Sequence, residues 1–488
     1  MKDKLSKIRV KRPAVLCIVL VIALSYISNY IGLLTAVLLA ANVVAVILLC
    51  AFKKYKMMIV FLIVTAVSLN LFFTYRELGS VRSKSGKTVF GNFTVVEDSA
   101  ASKGYSSFRI KADKGELPKG TVLEPFYYGD KALKSGDKIN AYVTLKNIPV
   151  EKRKIYYSDD VYVYSTVEKL SVLKDRDNFY YLVGVIRRHI KNAYLKYCSR
   201  EGAGLLIAIT LGDKSYLSGT LSDAIRNVGA SHMVAVSGFH LAIIIGNLFY
   251  IIDYIFKNKY FRFIASILSV VLFAGICGFT KSVLRAGSMF IISSAAPLFD
   301  REPDSLSSLS LSVVAVFLVS PFSIFSIGFN LSVIATFAII YISPYFINAI
   351  KRMPVLNYKF IFPIVSLAVN SFFAALFTMP AIIKVFSKVS VLSIFTNLFL
   401  NFIVTFALLF GALAVSLLPI LRGATAFLFY IADFFSKAMV FIIKGLNDLP
   451  LVILKMGNTA YYVSLIFIAF ITLYVYHKNK KIMEGEWR

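Results

Sequence analysis

GLLIAITLGDKSYLSGTLSDAIRNVGASHMVAVSGFHLAIIIG, residues 204–246, is the stretch whose reading decides the fold. Its two ends are apolar enough to enter a bilayer, yet His232, Ser237 and His240 stand at the mouth of the second apolar run. Polar side chains are costly in hydrocarbon and face a protein interior or a water-filled path when they occur there. Two of the chain's four histidines lie here, which marks the stretch as a candidate site. On one continuous helix the three side chains would stand at about 0°, 140° and 80° around the axis, on a shared face. Three chemistries fit such a face: a Ser237–His240 pair for acyl transfer, a metal site, or a polar seam that shapes a pore. No Gly-x-Ser-x-Gly elbow surrounds Ser237, and two histidines eight apart without an acidic partner are not a known ligand set. A seam, or plain hydrogen bonding between helices, is the favoured reading. No metal or other cofactor is expected, and the chain is not expected to be an enzyme.

Outward from this stretch, composition sets the class. Of 488 residues, 58% are hydrophobic and 16% charged, with mean hydropathy +0.73. Soluble domains carry about 25% charged residues, so long apolar runs in such a chain mean an α-helical polytopic membrane protein. Net charge is +28. Basic cytoplasmic loops account for part of it, and the rest suits a polyanion, either nucleic acid or anionic lipid head groups. Cys17, Cys50, Cys198 and Cys277 all lie in or beside apolar runs and form no disulfide framework. The N-terminus reads as an uncleaved anchor with its end in the cytoplasm.

The organisation follows from the runs. Residues 1–75 form a membrane anchor of three spans, near 14–31, 33–51 and 57–75. The basic clusters at 1–12 and 53–56 put those loops inside and residues 76–177 outside. That segment has no spanning run. Five alternating stretches, 88–97, 105–112, 120–129, 137–146 and 161–173, predict an inserted extracellular small β-barrel, OB-like, with a β-sandwich as the alternative. It holds 19 Lys and Arg against 14 Asp and Glu. Within it Lys152, Arg153 and Lys154 beside Tyr156 and Tyr157 resemble a single-strand platform, charge for phosphates and rings for bases. The plainer reading is a solvated loop with its aromatics on the barrel core. Residues 178–200 predict an amphipathic helix on the outer leaflet, with Arg187, Arg188, Lys191 and Lys196 on its polar face. Residues 201–477 form a second membrane bundle with several short or interrupted runs, and 478–488 a cytoplasmic tail.

Other polar positions punctuate the bundle. Leu-Gly-Asp-Lys at 211–214 ends a short apolar run on Asp213, which fits either a re-entrant tip or a surface turn. Lys281 and Arg285, at i,i+4, must face water, a partner or a translocated anion, or else snorkel to the surface. Asn330, Ser332 and Thr336 suit close helix packing.

These motifs together resemble the competence domain of the ComEC family. Its pattern runs from a Leu-Gly-Asp step through an amphipathic helix to Gly-x-x-His-x-x-x-x-Ser-Gly-x-His, matched here by Gly229, His232, Ser237, Gly238 and His240. LRAG at 284–287, Arg301 with Asp304, Pro321, GFNLSVIAT, FTMP with a later Asn, and NDLP at 447–450 follow in order. The match covers roughly 200–455, and the insert sits where the family places an OB-like domain. The resemblance implies a plasma-membrane channel that passes single-stranded DNA into the cytoplasm during natural transformation. The implied partners are single-stranded DNA, membrane lipids, a cytoplasmic helicase or ATPase, a pilus-associated DNA receptor and a separate nuclease. Many members carry a metallo-β-lactamase-like domain. No His-x-His-x-Asp-His motif occurs here, so strand degradation is not carried over. Lys281 and Arg285 become candidates for touching the strand. An intramembrane hydrolase using Ser237 and His240, or a transporter of another polyanion, are the rival expectations.

Overall fold

A computed structural model describes residues 55–102, 105–129, 131–173, 177–353, 361–390, 393–449 and 453–485. The spans expected near 14–31 and 33–51 lie outside them. The described residues fall into two compact units, 55–188 with Phe263–Phe329, and His189–Arg262 with 330–485.

The first unit begins with α1 (Tyr55–Arg82), whose last turns carry Leu78 and Val81 into the core of a β domain. The strands are β1 (Thr88–Val95), β2 (Ala100–Ser102), β3 (Tyr105–Ser107), β4 (Ile110–Gly115), β5 (Val122–Leu123), β6 (Pro125–Tyr127), β7 (Lys138–Lys146) and β8 (Tyr164–Val172). Burial alternates along β7: Ile139, Ala141, Val143 and Leu145 are buried, while Tyr142 and Lys146 are exposed. This is the period of a half-buried strand. β1 pairs antiparallel with β4 and with β7, β7 antiparallel with β8, and β8 parallel with β6. β3 and β4 are halves of one stretch broken at Phe108–Arg109, and β5 and β6 halves of another broken at Glu124. Both halves pair, β3 with β6 and β4 with β5. Joined this way, the strands run first, second, third, fifth, fourth and back to first, an OB-like ring whose members are the five alternating stretches of the sequence. A helix, α2 (Val150–Ser158), fills the gap between the fourth and fifth strands.

The same unit holds α3 (Phe179–Tyr197) as far as Arg188, then α8 (Lys259–Ile276) from Phe263, α9 (Lys281–Ala295) and α10 (Ser305–Val319). A 3-10 turn, Pro321–Phe325, follows α10, and its Phe322 is 1% exposed inside the barrel core. The turn after α10 therefore shares the core of the barrel.

Helix α3 (Phe179–Tyr197) departs from the expectation of a basic face in water. Arg187 donates to the Ile276 carbonyl at 2.6 Å, and Arg188 pairs with Asp98 at 2.9 Å. Leu182 and Val185 are exposed, while of the expected basic face Lys196 is exposed and Lys191 half-buried. Amphipathic spacing identifies two faces but not which one finds protein partners, and here acceptors elsewhere in the unit claim the arginines.

The second unit contains α4 (Arg200–Leu211), α5 (Gly219–Asn227), α6 (Ser231–Val234) and α7 (Gly238–Ile255). Its long helices are α11 (Ile327–Phe337), entering the unit at Asn330, α12 (Ser343–Lys351), α13 (Ile361–Phe386), α14 (Ser393–Leu417), α15 (Arg422–Asn447) and α16 (Asn458–Gly485). A π turn, Ala338–Ile342, joins α11 to α12 just before Pro344. Proline has no N–H to donate to the preceding turn, and one extra residue absorbs that defect. Helix α14 is continuous where an interrupted run was expected. A short pair, β9 (Lys388–Ser390) with β10 (Ile453–Lys455), was not foreseen, three residues being too few for a periodic signal.

Among the described residues, seven helices are long and apolar enough to cross a membrane: those containing Lys259–Ile276, Lys281–Phe299, Ile327–Lys351, Ile361–Phe386, Phe399–Leu417, Thr425–Asn447 and Asn458–Lys478. The protein is a multi-pass membrane protein with a small β domain.

Candidate functional site

The Leu-Gly-Asp step is built on α4, buried from Gly202 to Leu211. Ser199 caps its start, accepting from the Gly202 N–H at 3.3 Å. Gly212 closes its end at φ +77°, a left-handed C-cap that glycine adopts without a Cβ penalty. The chain then turns on Asp213. Its Oδ1 accepts from the Ser215 N–H at 3.0 Å and hydroxyl at 2.6 Å, and its Oδ2 meets Lys191 Nζ at 2.6 Å. Burial pushes the Asp213 carboxyl up, but the hydrogen bonds from Lys191 and Ser215 pull harder the other way and hold it below the ordinary carboxylate value. Lys191 also lies 5.5 Å from the centre of the Tyr216 ring. Asp213 is thus the pin of a tight turn between α4 and α5.

Helix α5 is amphipathic: Leu221, Ala224 and Ile225 are buried, and Asp223 and Arg226 exposed. Val228 at its end accepts from Thr396 Oγ1 of α14 at 3.3 Å. His232 lies on α6, exposed, with Nδ1 at 3.1 Å from the Gly229 carbonyl. The chain leaves helical geometry at Ala235 and re-enters it at Gly238, with extended Ser237 (φ −130°, ψ 176°) at the N-cap of α7. The single helix that would have aligned the three polar residues is therefore broken. Ser237 and His240 come into hydrogen-bonding contact, while His232 bonds to the Gly229 carbonyl.

Their geometry is that of a cap. His240 is 1% exposed, and its Nδ1 lies 3.2 Å from the Ser237 N–H and 3.0 Å from Ser237 Oγ. A backbone N–H can only donate, so Nδ1 is the acceptor and the ring proton sits on Nε2. This is the return arm of a capping box with histidine in the place of Glu or Gln. The lone pair a general base would need is already engaged by the backbone. Nε2 is buried with no carboxylate or other side chain hydrogen-bonded to it, so no acidic side chain orients the ring from that side. Among the described residues, no group of three or more His, Cys, Asp or Glu side chains is arranged to hold a metal ion. Asn330 and Ser332 lie half-buried on α11.

In the first unit, Lys281 opens α9 and pairs with Asp160 of the β domain at 2.6 Å. Ser320 Oγ donates to the other Asp160 oxygen at 2.6 Å. Arg285, one turn on, is 4% exposed. Lys152, Arg153, Lys154 and Tyr156 lie on α2, a helix rather than a loop. Arg153 donates to the Ile148 carbonyl, Lys154 stands 5.8 Å from the Phe325 ring centre, and Tyr156 packs edge-on to Tyr164. Lys152 projects into solvent.

Residues 209–481 match the family model described as competence protein. This is more than half of the chain. The chain belongs to the competence protein family. It is 27% identical to ComE operon protein 3 of Bacillus subtilis over 56% of this chain and 34% of that protein. It is 24% identical to Recombination protein 2 of Haemophilus influenzae over 26% of this chain and 17% of that one. An uncharacterized protein, the MG316 homolog of Mycoplasma pneumoniae, is 24% identical over 41% of this chain and 48% of its own length. The alignments thus span no more than about half of these relatives. No solved structure matches.

The matched competence region contains Asp213, His232, Ser237, His240, Lys281, Arg285, Asn330 and Ser332, while the barrel precedes it. On the barrel the structure displays a feature that sequence reasoning passed over. Phe90 and Tyr142 are exposed and face each other across β1 and β7, ring centres 4.8 Å apart. Lys169 is paired with Tyr142 on β8, and Lys114 with Asn92 in the next row of β1. Two rings thus stand on one outer face with Lys114 and Lys169, and with Glu116, which accepts from the Phe90 N–H, and Glu168, which accepts from the Thr88 and Thr144 hydroxyls. The signal was in the alternation: Phe90 and Tyr142 occupy outward positions of their strands, where an aromatic is not needed for the core.

Proposed function

We propose that this competence family member conducts single-stranded DNA across the plasma membrane into the cytoplasm, with the barrel as its receiving surface. The exposed Phe90–Tyr142 pair among Lys114 and Lys169 is the observation that supports this reading most. Rings offer stacking to any base and lysines neutralise phosphates, the combination that binds single strands without sequence preference. Lys152 on α2 is a further phosphate contact in this proposal, and Arg153, Lys154 and Tyr156 support it structurally. Lys281 ties α9 to the barrel through Asp160, and Arg285 is buried one turn on, so in this proposal they hold the helix rather than touch the strand. Asp213, His232, Ser237, Gly238 and His240, with Asn330 and Ser332, brace the walls of the path rather than perform chemistry. In this reading residues 76–177 are extracellular and the N-terminus cytoplasmic, as the basic loops at 257–262, 351–359 and 478–481 favour. A helicase or ATPase supplies the driving force, a pilus-associated receptor delivers DNA, and a separate nuclease removes the other strand.

The test uses the full chain in detergent or nanodiscs, because Phe322 completes the barrel core. A fluorescent oligodeoxynucleotide is expected to bind with little sequence preference. Affinity should fall with salt at a slope of about −0.7 per neutralised phosphate. Replacing Phe90 and Tyr142 by alanine should weaken binding by about 1–3 kcal/mol per stacked base. Absence of binding at low salt, or an unchanged affinity in the double variant, would contradict the proposal.

A further inference from the structure

Helix α15 carries an ion pair in the middle of a membrane span. Within Thr425–Asn447, Asp433 Oδ2 meets Lys437 Nζ at 2.8 Å. The Asp433 side chain is 11% exposed and the Lys437 side chain 59%. Asp433 is held from its other oxygen, where Oδ1 accepts from the Ser199 N–H at 3.0 Å and hydroxyl at 2.7 Å at the start of α4. A Cβ on Gly202 would collide with the same oxygen, so glycine there lets the carboxylate approach. Seven residues after Lys437, Lys444 pairs with Glu201 of α4 at 2.8 Å, both side chains about half exposed.

The exposed surface of α15 divides into two stripes of seven-residue spacing. Phe427, Phe434 and Phe441 form one, and Tyr430, Lys437 and Lys444 the other. They lie about 60° apart around the helix. The aromatic stripe is what lipid requires. The charged stripe is not, since a lysine at the centre of a span is too costly to leave in hydrocarbon. Snorkelling does not rescue Lys437, which lies ten residues, about 15 Å, before the end of the span, farther than its side chain reaches. Asp433 cannot swing to follow it, being fixed by Ser199.

We propose that the charged edge of α15 lines a hydrated path through the membrane, and that Lys437 is an anion-binding group on it, releasing Asp433 to contact phosphodiester oxygens of a passing strand. The identity of the anion rests on the DNA-conducting reading above; the hydration does not. Asp433 holds α4 and also keeps Lys437 paired when no strand is present, so the edge carries no uncompensated charge at rest.

The experiment places single cysteines at Lys437, Lys444, Phe434 and Phe441 in a chain with its four native cysteines replaced, reconstituted in nanodiscs, and reads labelling by a charged, membrane-impermeant thiol reagent. The reagent requires a hydrated thiolate. Lys437→Cys and Lys444→Cys are expected to react at least about tenfold faster than Phe434→Cys and Phe441→Cys, which bracket Lys437 in depth. A single-stranded oligodeoxynucleotide should slow the reaction at 437 by severalfold. Labelling at 437 and 444 no faster than at the phenylalanine positions overturns the proposal, as does fast labelling at 437 that a bound oligodeoxynucleotide leaves unchanged. Because labelling without DNA reads hydration alone, it fails independently of the DNA-binding assay above.

Discussion

Asp213 and Ser237 each hold a local stretch of backbone in place. Asp213 takes three hydrogen bonds and closes the turn after α4. Its carboxyl is held below its ordinary value, so it adds stability at neutral pH that is lost as pH falls through the folded value. Asp213→Asn should therefore lower the unfolding midpoint of the solubilised protein near pH 7. The gap from wild type should close on acidification below the ordinary carboxylate range; a gap independent of pH would count against the pairing with Lys191. For Ser237, a cap and a nucleophile predict opposite things. Glycine is nearly as good an N-cap as serine and costs a few tenths of a kcal/mol, whereas alanine costs about 1 kcal/mol. Ser237→Gly should keep DNA uptake and Ser237→Ala should mainly reduce stability, both read in a transformation assay alongside thermal unfolding. Abolished uptake in a stably folded Ser237→Gly chain would favour chemistry at this residue. A shared face for His232, Ser237 and His240 required one continuous helix, and the chain breaks at 235–237. Gly238, a residue that can break or kink a helix, was the available cue, and helical periodicity on either side obscured it.

At the scale of elements, the strands of the barrel were legible because each alternates over five or more residues with turn residues between. The membrane helices were legible because apolar length is a strong signal. What the sequence could not convey is which polar face meets which partner. Helix α3 turns its arginines to Asp98 and the Ile276 carbonyl, and α2 holds the basic run that read as a loop. Nor could it foresee that the segment after α10 inserts Phe322 into the barrel. That insertion predicts a coupling. Phe322→Ala should destabilise by about 3–5 kcal/mol, the cost of emptying a buried aromatic site. Proteolysis should then reveal an opened barrel rather than a loosened helix bundle. Cleavage confined to the bundle, with residues 88–172 protected, would show that the barrel folds without this residue.

For the whole molecule, the family match covers the helical region and leaves the barrel to be argued from its own surface. The DNA-conducting proposal draws on membership in the competence family, on the exposed aromatic pair of the barrel and on the charged edge within an apolar span. The charge of +28 suits that proposal but is spread along the chain, so it does not locate the path. The most direct measurement is entry of labelled DNA into a nuclease-protected state in competent cells of the source organism, with and without this chain. Deletion should abolish protected single-stranded DNA inside the cell while leaving surface-bound DNA in place, and the wild-type chain supplied in trans should restore it. Undiminished protected DNA in the deletion strain would contradict the account.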